Sequence, residues 1–583
     1  MLDPRIYRTG FLPLVFALVL AGFSLREPPR ALTTSLAPDA FDGAAAFAQL
    51  DALATAAPSR RPGSAGDRLV ARVVGETLRA NGFRVGVRSL VAQTVDGSRE
   101  LATVVGERAG FSDHRIVVIA HRDALGRGAR AELSGTAVLL ELARVLGGRT
   151  LQRTLVLAST SGGTAGLAAA RELASRPGGP VDAVLVLGDL GGARIDRPFV
   201  VPWSSSTAVA PLELRRTVES AVATETGLRP GGVTPTVQLA RLAFPLTLGE
   251  QGPFDAHGIG AVLLSAGGER PPTAAAPVSA ARLTAFGRAA LRSVTALDSG
   301  ADVPGSGPYL VLQDKLLPAW SVRLLALALM LPVLLATVDA FARVRRRRER
   351  VGMWLRWVGV AVVPFLLAAL TALALFGTGL IDAAPAAPVA GAAAAPNAAA
   401  LVAVLAVLVA GWAWLRPRLA RAARVSGDCA SGGGAVAVAV ALSAVALLIW
   451  LANPYASLLL IPALHLWLLV MAPETRLRRP AALALWVVGL LPPLLVAYAY
   501  ARQLGLDPLE LTWVGTLLVA GGGLSSFAVV VWSVALACTG CALAVVLRTS
   551  SGAVDAATPI TVRGPKTYAG PGSLGGTESA LRR

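Results

Sequence analysis

The sequence predicts an α/β domain, with a mostly parallel central sheet flanked by helices, joined to an α-helical transmembrane bundle of about eight spans. Three observations lead there. Short apolar runs alternate with amphipathic stretches between residues 40 and 300. Long apolar runs crowd the chain beyond residue 318, and Arg clusters follow every second one of them. The composition agrees: 54% of the 583 residues are hydrophobic and 15% are charged, so the excess apolar surface needs a bilayer. The net charge of +18 does not indicate nucleic acid, because the Arg residues sit in short loops beside apolar spans. Cys429, Cys538 and Cys541 all fall in the apolar half, leaving no disulfide framework elsewhere.

Within the first half, Asp67–Ala80 carries apolar residues at helical spacing (Leu69, Val70, Val73, Val74, Leu78), and Asn81-Gly82 ends that helix. Phe83–Leu90 and Leu101–Val105 read as strands. Ile116–Ala120, Leu155–Ala158, Ala183–Leu187 and Ala261–Leu264 suit strands buried on both faces. Gly135–Leu146 and Thr164–Ala174 read as amphipathic helices between them. In such sheets the chemistry gathers at strand C-termini. The polar residues there are His121 and Asp123, then Ser159–Ser161, then Asp189.

The apolar runs Gly10–Leu25, Trp320–Ala342, Val358–Leu380, Ala399–Leu415, Ala435–Leu451, Ser457–Met471, Ala481–Ala499 and Ser525–Leu547 supply the spans. The first follows Arg5 and Arg8, lacks a small-x-small cleavage site and reads as a retained signal anchor. Arg343–Arg350, Arg416–Arg424, Arg476–Arg479 and the tail from Arg548 are basic, which places those loops in the cytoplasm. The expected organisation is a cytoplasmic N-terminus (1–9), a signal anchor (10–25) and an extracytoplasmic domain (26–318, core 40–300). A seven-span membrane domain (320–547) and a disordered cytoplasmic tail (548–583) follow. This describes a multi-pass cell-membrane protein with its large domain outside. Thr512–Gly523 stands apart as a re-entrant or ninth segment.

The order of segments resembles the zinc aminopeptidase family, number 28 among the metallopeptidases. "SRRPGSAGDRLVARVVGETLRANGFRV" is similar to that family's opening helix and first strand. "IVVIAHRDALGRGARAELSGTAVLLELARVL" resembles its His-x-Asp strand, loop and Ser-Gly-opened helix. "RTLVLASTSGGTAGLAAAREL" resembles the strand that normally ends in Glu-Glu, "VLVLGDLGG" the strand with a ligand Asp, and "GEQGPFDAHGIGAVLL" the segment with the last ligand His. The resemblance covers about residues 40–300 and implies an aminopeptidase-like fold. It also implies two zinc ions, bridged by an Asp and served by a His–Asp and a Glu–His pair, with a second Glu as general base.

Carried over, His121 matches the first ligand, Asp123 the carboxylate that orients its imidazole, and Asp189 the later ligand Asp. The other family positions are substituted. The bridging Asp falls at Ala131 beside Glu132, the Glu pair at Gly163 and Thr164, and the last His at Gln251. Glu132 or Glu250 would replace a lost carboxylate only by a shift of one position. His121 and Asp123 are also readable as a buried hydrogen-bonded pair or a residual single-ion site, Asp189 as a turn cap, and His257 as a loop histidine. Ser134 and Ser161 lack a G-x-S-x-G setting for a nucleophile.

In the membrane half the spans are almost purely Ala, Leu and Val. His465 is the main exception and reads as a packing or interfacial hydrogen-bonding residue, and the Cys538/Cys541 pair as small packing residues. An anchor, an aminopeptidase-like domain and a multi-span half together resemble the endoplasmic-reticulum metallopeptidases and the aminopeptidase-like subunit of the glycolipid-anchor transamidase. The expectation is a zinc-peptidase-like domain that is catalytically inactive and needs no cofactor. It would bind a peptide, an envelope component or a partner protein, with membrane lipid around its spans. Two alternatives stand beside it: an active zinc aminopeptidase with rearranged ligands, and a membrane carrier with an accessory outer domain.

Overall fold

A computed structural model describes residues 4–163, 166–193, 197–231, 234–381, 395–475 and 477–549. Thr164, most of the loop Asp382–Asn397 and the tail from Ser550 lie outside the described residues.

The chain opens with α1 (Pro4–Thr9) and α2 (Leu12–Phe23), which form the first apolar span. Helices α3 (Gly43–Ala56) and α4 (Ala65–Ala80) precede the hairpin of β1 (Arg84–Thr94) and β2 (Gly97–Arg108). Then come β3 (Ser112–His121), α5 (Ser134–Gly147), β4 (Arg153–Thr160), α6 (Ala168–Ser175) and β5 (Val181–Leu187). The domain continues with β6 (Phe199–Val201), α7 (Leu212–Thr226), α8 (Pro235–Ala243), α9 (Gln251–Ala256), β7 (Ala261–Ser265) and α10 (Ala280–Ser299). Helix α4 starts where the Ser64 hydroxyl accepts from Asp67 N, buries Val70, Val74 and Leu78, and ends at Gly82, whose φ of +81° suits glycine.

The seven strands lie in the order β1-β2-β4-β3-β5-β7-β6. The pairs β4/β3, β3/β5 and β5/β7 are parallel, while β1/β2, β2/β4 and β6/β7 are antiparallel. The sheet is thus mixed, with a parallel centre. Along β3, Ile116, Val118 and Ala120 enter one core with Leu50, Val74, Leu139 and Phe286. Val117 and Ile119 enter the opposite core with Leu173, Ala240 and Phe254. This alternation is the strand period of two on a sheet covered on both faces.

Beyond the sheet, the hairpin of β8 (Tyr309–Leu312) and β9 (Lys315–Pro318) leads into α11 (Ala319–Arg346). Then follow α12 (Val351–Gly377), α13 (Ala398–Ala410), α14 (Arg416–Ala422), α15 (Gly432–Ala452), α16 (Pro454–Leu458) and α17 (Ile461–Met471). The last helices are α18 (Arg479–Leu504), α19 (Pro508–Ala520) and α20 (Ser526–Thr549). Among the described residues, eight helical segments are long and apolar enough to cross a membrane: 4–23, 319–346, 351–377, 398–422, 432–452, 454–471, 479–504 and 526–548. The candidate ninth segment is only α19, 13 residues long, opened by an Asp507/Glu510 capping box.

The domain does not stand clear of the helices. The core behind Val117 and Ile119 runs without a break into Val322, Trp354 and Leu442 of the apolar helices. Asn453 Nδ2 donates to Leu242 O at 2.8 Å and to Ala243 O at 3.1 Å, and Arg241 Nε donates to Gln503 Oε1 at 2.9 Å. His465, read as a packing or interfacial hydrogen-bonding residue, bonds Tyr7 Oη through Nδ1 at 2.7 Å, and its Nε2 lies 2.9 Å from Leu329 O. That pair fastens the first span to the bundle.

Candidate functional site

Strands β3, β4 and β5 run parallel, so their C-terminal ends emerge along one edge, with His121 opposite Thr160 in the ladder. A small cavity of about 60 Å³ opens at that edge, lined among others by His121, Glu132, Gly163, Asp189, Glu250 and Glu269. Among the described residues, His121 Nε2, Glu132 Oε2 and Glu250 Oε2 are buried without a hydrogen-bond partner. Burial pushes His121 below its ordinary value against the pull of Asp123, which keeps the imidazole neutral. Burial also raises Glu132 and Glu250, each to about 8, and the charge of Asp123 adds to both shifts. Near neutral pH these carboxyls therefore hold their protons.

Asp123 Oδ1 accepts from Gly163 N at 3.1 Å, so this carboxylate ties the end of β3 to the loop after β4. Asp189 Oδ1 accepts from Gly191 N at 3.0 Å and Gly192 N at 2.9 Å, and lies 3.3 Å from Ser134 Oγ. The turn-cap reading of Asp189 and the cavity position are both realised. Ser134 Oγ donates to Ala131 O and accepts from Leu190 N, while Ser161 Oγ donates to Asp67 Oδ2 at 2.7 Å. Both serines serve the scaffold. His257 ends α9, with Nδ1 2.8 Å from Pro253 O.

Two of the substituted family positions turn away from the cavity. Gln251 does not face the cavity: it is fully buried at the start of α9, and its Nε2 donates to Trp203 O at 3.0 Å and Thr247 Oγ1 at 2.9 Å. The cavity residue of that segment is Glu250, whose Oε1 accepts from Thr160 Oγ1 at 2.6 Å. Likewise Ala131 packs in the core, and its neighbour Glu132 lines the cavity. At both places the carboxyl one position away, Glu132 or Glu250, is the residue that lines the cavity. A six-residue helix and a short helical turn set the phase of these side chains, which linear spacing does not reveal.

Gly163 cannot regain the family's Glu in this backbone. A Cβ there would lie 2.5 Å from His121 Cβ and 2.9 Å from His121 Cγ. The main chain after β4 lies so close to the His121 side chain that any side chain at 163 would require a shift. Among the described residues, no three His, Cys, Asp or Glu side chains gather as a group that could hold a metal ion. Asp189 spends one oxygen on the backbone N–H groups of Gly191 and Gly192. A two-zinc centre does not fit these residues.

Sequence reasoning overlooked the buried cations beneath the cavity. Arg122 and Asp67 form an ion pair at 2.9 Å with both side chains buried, and Arg122 also donates to Ser159 O and Ala102 O. Arg60, fully buried, donates to Ala57 O, Arg122 O and Ala129 O. The available signal was position alone: Arg60 and Asp67 flank the start of α4, and Arg122 stands between His121 and Asp123.

Residues 102–224 match the family model described as Peptidase family M28. Among solved structures, the chain is similar to the glutaminyl cyclase of Porphyromonas gingivalis at 18% identity, covering 44% of this chain and 99% of that one, with a TM-score of 0.36. It is similar to a zinc aminopeptidase from Bacillus subtilis at 12% identity, covering 44% and 95%, with a TM-score of 0.35. A leucine aminopeptidase precursor from Bacteroides thetaiotaomicron matches at 14% identity, covering 45% and 98%, with a TM-score of 0.36. The family match spans the segments that bear His121, Glu132, Gly163 and Asp189, while Glu250 and Glu269 of the cavity lie beyond it, and the chain is a multi-pass membrane protein that carries a peptidase-M28-like domain.

Proposed function

We propose that the M28-like domain (residues 26–318) lies on the extracytoplasmic side of the cell membrane and binds a peptide, an envelope component or a partner protein without hydrolysing it. The observation that carries this reading is the close approach of Gly163 to His121, at the place where the resemblance puts the family's Glu pair. Loss of a general base removes a factor of ~10² to 10⁴ in rate, before any metal is considered. The basic loops support the orientation through the positive-inside rule, with residues 320–547 as the membrane domain.

The full-length chain in detergent is expected to show no turnover of simple amino-acid amides, with or without added zinc. Zinc-dependent hydrolysis that disappears in His121→Ala would overturn the reading and point to Glu132 or Glu250 as the working carboxylate. For the orientation, reporter fusions after Arg350, Arg424 and Arg479 should give cytoplasmic signals, and a fusion at Gly505 an outside signal. A cytoplasmic signal at Gly505 would reverse the placement of the domain.

A further inference from the structure

A second, far larger cavity of about 530 Å³ lies where the M28-like domain meets α18, α19 and α20. That volume falls within the range of about 300–1,000 Å³ common to ligand sites. Its walls are apolar: Phe244 and Leu246 come from the domain, and Val496, Leu518 and Val531 from the helices. Phe527, largely exposed on α20, also lines it, so the cleft continues onto the outer surface of the apolar helices.

The polar groups around the cleft are nearly all committed. The Tyr500 hydroxyl donates to Phe244 O, the Asn453 amide to Leu242 O and Ala243 O, and the Thr247 hydroxyl to Glu269. Arg171 on α6 is the one charged residue in the lining. Among the described residues its half-buried guanidinium has neither an ion pair nor a hydrogen bond. Burial pushes its pKa down and nothing in its surroundings opposes that shift. A guanidinium does not shed its proton, so a partly desolvated, unpaired one is available to pair with an anion. An apolar cleft opening onto membrane helices, with a single free cation on its domain side, selects an amphiphile with a negative head.

We infer that this cleft binds an anionic membrane phospholipid, its acyl chain against Val496, Leu518 and Val531 and its headgroup phosphate at Arg171. The site is separate from the His121 cavity, although Leu167 lines both, so it stands or falls apart from the question of hydrolysis.

The test compares phosphatidylglycerol with phosphatidylcholine of identical chains, added to the delipidated full-length protein in detergent and counted by native mass spectrometry. One phosphatidylglycerol should be retained per chain, roughly ten-fold or more in preference to phosphatidylcholine, the size expected of a charged hydrogen bond. Arg171→Ala should abolish the preference, Arg171→Lys should keep most of it, and Val531→Trp should expel both lipids by filling the cleft. Should Val531→Trp fail to fold, the Ala and Lys variants decide alone. Equal retention of the two lipids by the wild type, an unchanged preference in Arg171→Ala, or displacement by millimolar inorganic phosphate would each overturn the proposal.

Discussion

Asp67→Ala is expected to destabilise the M28-like domain by about 3–5 kcal/mol, because it strands the Arg122 guanidinium in the interior. Both partners are buried, and Arg122 follows His121 at the end of β3. Burial pushes the Asp67 carboxyl up, while Arg122, Ser161 and the Gly63 N–H pull it back towards the ionised form. After the substitution Arg122 would keep its bonds to Ser159 O and Ala102 O. Those carbonyls supply dipoles but no countercharge. The double variant Asp67→Ala/Arg122→Met should recover a large part of the loss, since replacing a whole buried pair by apolar groups costs far less than breaking it. Thermal unfolding of the full chain in detergent reads both effects. A single variant that melts with the wild type, or a double variant worse than either single, would show that the pair is not the countercharge system described.

Stability of the full chain should fall as pH rises from about 5 to 8 and then level off. Glu132 and Glu250 are each raised from 4.5 to about 8, so over this window the folded protein holds protons that the unfolded chain releases. Rising pH therefore favours unfolding, by up to about 1.4 kcal/mol per pH unit for each group. Glu250 faces Thr160, Asp123 and Arg122, whereas Glu132 faces Asp123, Arg60 and Asp189. Asp123 is common to both, and its charge works against ionising either. Glu250→Gln keeps a neutral group in place and should raise the melting temperature at pH 8 while leaving it nearly unchanged at pH 5. A wild-type profile that is flat or climbs between pH 5 and 8 would refute the account. So would a Glu250→Gln variant that gains equally at both pH values.

The departure from the zinc-peptidase arrangement lies in the identities of Ala131, Gly163 and Gln251. Burial, reinforced by the charge of Asp123, favours the acid form of Glu132 and Glu250 in the metal-free site.

Much of this was determined by the sequence alone. Continuous apolar runs such as Ile116–Ala120 and Ala183–Leu187 can be satisfied only by strands buried on both faces, and they became the parallel centre of the sheet. Helical spacing in Asp67–Ala80 and the long apolar runs after residue 318 were equally legible, because periodicity and hydropathy are local properties. The order of motifs placed His121, Asp123 and Asp189 at one sheet edge, where strand direction alone puts them. The short strands β6, β8 and β9 were not legible, since three or four residues carry too little pattern to separate strand from loop.

Only the tertiary structure decided which carboxyls face the cavity. Glu132 and Glu250 stand one position from the family's ligand sites, and a one-residue change of helical phase swings a side chain by about 100°, which spacing along the chain does not record. The packing of Gly163 on His121, the burial of Arg122 with Asp67, and the cleft at Arg171 each join residues far apart in sequence. Their energies come from desolvation and close approach, which exist only once the chain has folded around them.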